Sequence, residues 1–308
     1  MAQERTRELI SDARTTVRRR SGESPVIVCI HGNSLSHRIF DPLFNVSALR
    51  NVSIVAYDLP GHGESDRPRD PRAAYSLRGY AAHLETLLET LGVTSYVLLG
   101  FSLGGHIAVE ATADGLHPTP SGIVTIGSPP LTGPSDFARA FLPANGGASL
   151  FQETLTRADA CAIGTTICRD EGVRADVIDS IMATDPAARA NLFENIVGHA
   201  FPDECAFLTA TGVPALLCFG GDEAIVNLEY LREKRVHERL GDRVRILPGE
   251  SHLPDMSENG AFASALIAFL ADCRPTRRKS IQLPSAVSDS NDRHATEKSR
   301  QYQKADME

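Results

Sequence analysis

The residues of this chain that could do chemistry are a serine flanked by glycines, a histidine late in the folded part, and two adjacent acids between them. Ser102 stands in Gly100-Phe101-Ser102-Leu103-Gly104, after an apolar run that starts at Tyr96 and before helically spaced residues up to Glu110. A serine hydroxyl becomes an attacking atom when the chain bends sharply from strand to helix, and the flanking glycines remove the side chains that would collide in that bend. The helix that follows aims the unpaired amides of its first turn, Leu103 foremost, at the place where an oxyanion would form. Ser102 therefore reads as a nucleophile, with a helix-capping serine as the plainer alternative.

His252 ends the loop Pro248-Gly249-Glu250-Ser251-His252 after the apolar run 244–247, and Asp222 and Glu223 lie in the loop GGDEAIV after the run 213–219. Either acid could orient the histidine. The order serine, acid, histidine along an alternating strand–helix chain is the one expected of a nucleophile-elbow hydrolase, and it differs from the orders of the two other common serine-hydrolase folds. A further strand, 25–30 (PVIVCI), runs into His31-Gly32-Asn33-Ser34. Gly32 lets the main chain approach a ligand, so the amide of Asn33 is a candidate oxyanion donor opposite that of Leu103, while His31 is expected to brace the turn.

These residues need a rigid frame, and the hydrophobic patterning supplies one. Apolar runs at 25–30, 51–57, 123–126 and 213–219 read as buried strands, 244–247 as a last short strand, and 76–91 carries apolar residues at helical spacing closed by Gly92. Strand and helix alternate, so the fold class is α/β with a mostly parallel sheet. Near the start, 5–10 and 14–19 read as an edge hairpin whose charges face water, so that its arginines need no ligand. From 127 to about 211 the alternation stops and helical stretches appear at 134–142, 149–163, 173–182 and 187–197. The core is thus expected over 1–133 and 212–272, with 134–211 as an inserted helical cap over the strand ends. Between 137 and 185 there is no Tyr or Trp; Phe137, Phe141, Leu142, Leu150, Phe151, Ile163 and Ile167 favour a substrate with an acyl or other apolar portion, though most of them must pack the cap helices. A helix at 258–271 closes the core, and 273–308 is too polar to bury and is expected to be a disordered tail.

Composition limits the function classes. A formal net charge of −8 over 308 residues and a pI near 5.7 argue against nucleic-acid binding or a polybasic membrane patch. No stretch reaches 18 apolar residues, so no membrane span is expected. The six cysteines form no CxxC pair, and Cys29 and Cys218 lie inside apolar runs, as suits reduced thiols in a cytoplasm. The arginines near the start are interrupted by Glu4, Glu8 and Asp12 with no apolar region following, which argues against a signal peptide. The ten histidines are dispersed, without His-x-His or HExxH, so neither a metal nor a cofactor is expected.

Taken together, HGNS, DLPGHGES, GFSLGGH, GGDEAIV and ESHLP resemble the α/β-hydrolase superfamily across about 25–270, and with the GSPP at 127–130 they are most similar to the metal-independent N-acyl-homoserine lactonases. In that superfamily the acid stands three residues after the strand-ending glycine with a valine three further on, which implies Glu223 and Val226; Asp222 is the rival. Ala224 and Ser251 replace a usual proline and glycine. The resemblance implies a catalytic triad Ser102, Glu223 and His252, an oxyanion hole at Asn33 and Leu103, and opening of an N-acyl-homoserine lactone ring without a metal. The alternatives are a carboxylesterase for short-chain esters, a carbon–carbon bond hydrolase, or a protein that keeps the fold as a binding pocket.

Overall fold

The computed structural model describes residues 3–11, 13–142, 148–198, 202–273 and 280–281. Its strands are β1 (Gln3–Ile10), β2 (Ala13–Arg20), β3 (Gly22–Ile30), β4 (Val52–Tyr57), β5 (Tyr96–Phe101), β6 (Gly122–Ile126), β7 (Ala215–Gly220), β8 (Val244–Leu247) and β9 (Ser280–Ile281). Among the described residues they form one nine-stranded sheet in the order β1-β2-β4-β3-β5-β6-β7-β8, with β9 beside β3. From β4 to β8 every neighbouring pair is parallel. The architecture is the expected α/β one, a mostly parallel sheet between helical layers.

Alternate residues of the central strands serve opposite faces, which is why these strands read as unbroken apolar runs. Ile27, Cys29, Ile54, Ala56, Val97 and Leu99 join one core cluster. Val26, Val28, Ile30, Val55, Tyr57 and Leu98 join the other. The helix Leu77–Thr90, started by Ser76 accepting from the Gly79 amide, buries Tyr80, Leu84, Leu87 and Leu88 on the second face. The helix Ala261–Asp272 covers the first with Phe262, Leu266 and Leu270. Each such side chain contributes about 1.5–3 kcal/mol by leaving water.

The N-terminal hairpin departs from its expected role. β1 is an edge, but β2 lies between β1 and β4, pairing Val17 with Tyr57 and Arg20 with Ile54. Arg19 and Arg20 are therefore buried at 2% and 4% exposure. Both have partners. The Arg20 guanidinium donates to the carbonyls of Phe44 (2.6 Å), Leu49 (2.6 Å) and Val52 (3.3 Å), and burial lowers its pKa. Arg19 Nε donates to Glu4 (3.2 Å). Arg20 thereby pins the segment 37–49, two 3₁₀ helices (His37–Asn45 and Ser47–Leu49) that the sequence reading did not mark.

Between β6 and β7 the chain forms short turns and helices at Pro134–Asp136, Phe137–Ala140, Ala148–Phe151, Arg157–Ile167, Glu171–Ala183, Pro186–Gly198 and Glu204–Ala210. The last was not marked by the sequence. Phe141 makes an isolated bridge with Val226, and Cys168 with Leu253. Most of 273–308, read as a tail, lies outside the described residues; Ser280 and Ile281 within it pair with Glu23 and Gly22 of β3.

Replacing Arg20 leaves buried carbonyls without a donor, which costs about 1–3 kcal/mol. Arg20→Ala is expected to lower the urea midpoint by an amount corresponding to about 2 kcal/mol, whereas alanine at exposed Arg50 should leave it nearly unchanged; equal midpoints for the two variants would contradict this role of Arg20.

Candidate active site

Ser102 ends β5 and caps the helix Leu103–Ala113 with φ 50° and ψ −114°, a conformation that only a tightly constrained bend sustains. The constraint is close packing. A Cβ on Gly100 would overlap the Gly104 carbonyl, and one on Gly104 would overlap the Ile30 carbonyl at the end of β3. The Ser102 amide donates to Ile126 (2.7 Å), and its carbonyl accepts from the Gly105 amide (2.9 Å) and from Ser128 Oγ (2.7 Å). The bend is thus fixed from β3, β6 and the residue after Gly127, and the hydroxyl stands at the C-terminal edge of the sheet.

His252 comes to the same edge. Its ring centroid lies 5.0 Å from that of Phe101, the residue before the serine. On the other side it lies against Gly127, where a Cβ would stand 2.6 Å from the ring Cε1; the φ of +63° there also favours glycine. The loop reaches this point because a Cβ-free Gly220 lets the carbonyls of Glu250 and Ser251 pass, and because Asp222 N donates to Glu250 O (2.9 Å). Ser251 Oγ donates to Ile167 O (3.0 Å), so the side chain that replaces a glycine is used to tie the loop to the helix Arg157–Ile167.

Of the two acids, Glu223 meets the histidine. Its carboxylate oxygens lie 2.9 and 3.0 Å from His252 Nδ1 and accept from the amides of Ile225 (3.0 Å) and Val226 (3.2 Å). The Glu223 side chain is fully buried. Burial alone would raise its pKa, but the facing imidazole and the two amides outweigh it and hold the carboxyl below the usual glutamate value. Asp222 is exposed and pairs with Arg169 Nη2 at 2.5 Å. An Nδ1–H held by a carboxylate leaves the Nε2 lone pair to take a proton from a nearby hydroxyl.

The turn after β3 supplies the other wall. Leu35 N donates to Gly32 O (3.2 Å), closing a four-residue turn in which Asn33 and Ser34 are central and Ser34 has φ 61°. Gly104 packs against Ile30 and His31, and Gly32 against Phe101, so the turn at Asn33 leaves β3 where that strand touches the Ser102 bend. His31 is fully buried; its Nε2 accepts from Leu59 N (2.9 Å) and its Nδ1 faces Gly32 O (2.8 Å). Burial foremost, then the neighbouring His62, pulls its pKa to about 3, so it braces the turn as a neutral ring.

Other supporting groups lie within those motifs and beyond them, with partners that the sequence did not indicate. Asp58, fully buried, accepts from His37 N and Nδ1 (both 2.7 Å) and from Glu64 N (2.9 Å), folding DLPGHGES against the 37–49 segment. His106, one turn into the serine helix, pairs through Nδ1 with Glu204 (2.8 Å). The buried Arg189 donates to the carbonyls of Gln152, Glu153 and Ile181, partners that no local pattern announces; the spacing of Ala188, Leu192 and Ile196 on its helix shows only which face is covered. Among the described residues no group of three or more His, Cys, Asp or Glu could hold a metal ion, and all six cysteines are unpaired. No described helix is long and apolar enough to cross a membrane.

Comparison with known proteins bears on the family and the fold. A model of the alpha/beta hydrolase family matches residues 27–265. The solved structure of the N-acyl homoserine lactonase AidH complexed with N-butanoyl homoserine is similar, with a TM-score of 0.79 and 28% identity over 89% of this chain and 98% of that one. The esterase RhEst1 from Rhodococcus sp. ECU1013 shares the fold, with a TM-score of 0.69 and 20% identity over 89% of this chain and all of that one. The chain spans 25–34% of the length of the curated relatives it matches: the AB hydrolase superfamily protein YisY of Bacillus subtilis (strain 168) is 33% identical over 92 residues, 30% of this chain and 33% of that protein. The chain belongs to the alpha/beta hydrolase family.

Proposed function

We propose that the protein is a serine hydrolase that opens the ring of N-acyl-homoserine lactones through an acyl-enzyme. The observation that carries the hydrolase reading is the buried Glu223 carboxylate on His252 Nδ1 (3.0 Å) beside the strained Ser102 bend. In this mechanism His252 Nε2 takes the Ser102 proton as the hydroxyl oxygen attacks the lactone carbonyl, and Glu223 holds the tautomer and stabilises the imidazolium. The amides of Asn33 and Leu103 bind the tetrahedral oxyanion. Collapse breaks the ring C–O bond, His252 returns the proton to the alcohol, which stays tethered, and water activated by His252 then releases the hydroxy acid. None of these steps calls for a metal.

The lactone substrate is supported by the likeness to AidH, which this chain matches over 98% of the AidH chain at 27–28% identity. The helical insertion 134–211 is proposed as the cap. Its rings form a connected run, with Phe137 centred 4.9 Å from Phe141 and 5.2 Å from Phe151, and Phe151 5.5 Å from Phe193. Such an apolar wall suits an acyl chain and offers few polar contacts to fix its length. The six free thiols fit a cytoplasmic protein.

Ser102→Ala is expected to reduce turnover by about 10⁶-fold with little change in stability; residual activity of a few per cent would rule out Ser102 as nucleophile. Glu223→Ala should lower kcat far more than Asp222→Ala, and the opposite ranking would transfer the role of acid to Asp222. Chelators should leave activity intact while a fluorophosphonate abolishes it, and loss on EDTA dialysis with recovery on adding zinc would refute the covalent-serine mechanism. For the substrate, ring opening of an N-acyl-homoserine lactone is followed as the mass gain of one water, beside p-nitrophenyl esters and a ring-cleavage dienoate. The lactone is expected to have the highest kcat/KM relative to its uncatalysed rate. Lactone turnover no faster than background with efficient ester cleavage would make the protein a carboxylesterase.

A further inference from the structure

Asn33 is tied to the helical insertion through its side chain. Its Nδ2 donates to the carbonyl of Leu150 at 2.8 Å, and its Oδ1 accepts from Ser34 Oγ at 3.1 Å. Arg189 completes the tie. It is 3% exposed, reaches Ser34 Oγ with Nη1 at 3.5 Å, and donates from Nε and Nη2 to the carbonyls of Gln152 and Glu153, both at 2.8 Å. The turn 33–34 and the segment 150–153 are therefore held to each other by the Asn33 carboxamide and one buried guanidinium.

Two features make this tie more than packing. Ser34 sits at φ 61°, a left-handed conformation that a side-chain-bearing residue keeps only when its surroundings impose it, and its hydroxyl is the group that both Asn33 and Arg189 engage. The tied segment also carries Phe151, which stands in the ring run between Phe137 and the 42%-exposed Phe193. The carbonyl that Asn33 holds belongs to the residue directly before that phenylalanine.

We infer that the Asn33 side chain is a positioning group that couples an acyl chain packed on Phe151 to the alignment of the Asn33 backbone amide beside Ser102. The inference rests on the hydrolase reading, in which that amide is an oxyanion donor. Contact of the acyl chain with Phe151 fixes segment 150–153, the Leu150 carbonyl fixes the Asn33 carboxamide, and the turn is held with its N–H toward the developing oxyanion. Part of the acyl binding energy is thereby expressed in the transition state, so a longer chain raises kcat and not only affinity.

The test uses p-nitrophenyl esters from acetyl to octanoyl, which need an active serine but no lactone, on the full chain and on Asn33→Ala and Asn33→Asp, both of which remove the donor. Thermal melting verifies that each variant is folded, and a fluorophosphonate probe reports an active Ser102. In the unaltered protein the octanoyl-to-acetyl ratio of kcat is expected to be about ten. In both variants it falls to within about twofold of one, while KM keeps falling with chain length because the phenylalanines remain. A wild-type ratio near one, an unchanged ratio in the variants, or loss of the KM trend in place of the kcat trend each overturns the coupling and leaves the hydrolase intact. Ester turnover without lactone turnover overturns only the lactone substrate, and a protein neither labelled nor active on any ester overturns the hydrolase and the coupling together.

Discussion

The close approach of the Ser102 bend to the end of β3 is the constraint on which the site depends. Nothing local favours φ 50° and ψ −114° at a serine, and such a residue costs of the order of 1–3 kcal/mol unless its neighbours enforce it. Here the absence of a side chain at Gly104 lets the helix seat on the Ile30 and His31 carbonyls, and the Ser102 amide is held by Ile126. One contact thus forces the bend and brings the turn at Asn33 alongside it. A larger residue at Gly104 would separate the helix start from the end of β3 and relax the serine bend together.

Buried charge is the second organising device, and the molecule uses it as a clamp. Asp58 gathers the amides of His37 and Glu64, Arg20 gathers carbonyls from 44 to 52, and Arg189 gathers those of Gln152 and Glu153. Removing an ion from water is expensive, and the expense is offset only when several hydrogen bonds are supplied at once. Each of these residues therefore holds irregular backbone that has no ladder of its own. Glu223 follows the same rule, with two amides and an imidazole around one carboxylate, so the acid that faces His252 is also what fixes the 223–226 loop.

The insertion between β6 and β7 is tied to the sheet on both sides of the serine. Phe141 bridges Val226 and the Leu142 amide donates to Ile225 O (2.8 Å), next to the acid loop. Leu150 is held by Asn33 at the opposite wall. The ring run of Phe137, Phe141, Phe151 and Phe193 is hung between these anchors, so the surface proposed to meet the acyl chain and the groups proposed to do the chemistry share hydrogen bonds.

Much of this could be read from the chain before it folded. Strands buried on both faces must be continuous apolar runs, and a serine between Gly100 and Gly104 after such a run can only turn into a helix, so the α/β class, the strand ends and the loops carrying Ser102, His252 and the acids followed from local pattern. Between Asp222 and Glu223 the resemblance implied Glu223 by its position after Gly220, while local pattern alone left both open, because adjacent residues in a loop differ in direction, and direction was decided by where the amides of Ile225 and Val226 and the ring of His252 came to lie. Arg19 and Arg20 show the limit from the other side: a basic run reads as a solvated face, but whether β2 is an edge depends on its pairing with β4, some thirty-five residues away, and that pairing put both side chains inside. Arg189, Asp58 and Glu204 likewise have partners remote in sequence. Local sequence sets which segments are strands and helices because backbone sterics and burial period act over a few residues; the partners of buried charges are set by topology, which only the folded chain brings into being.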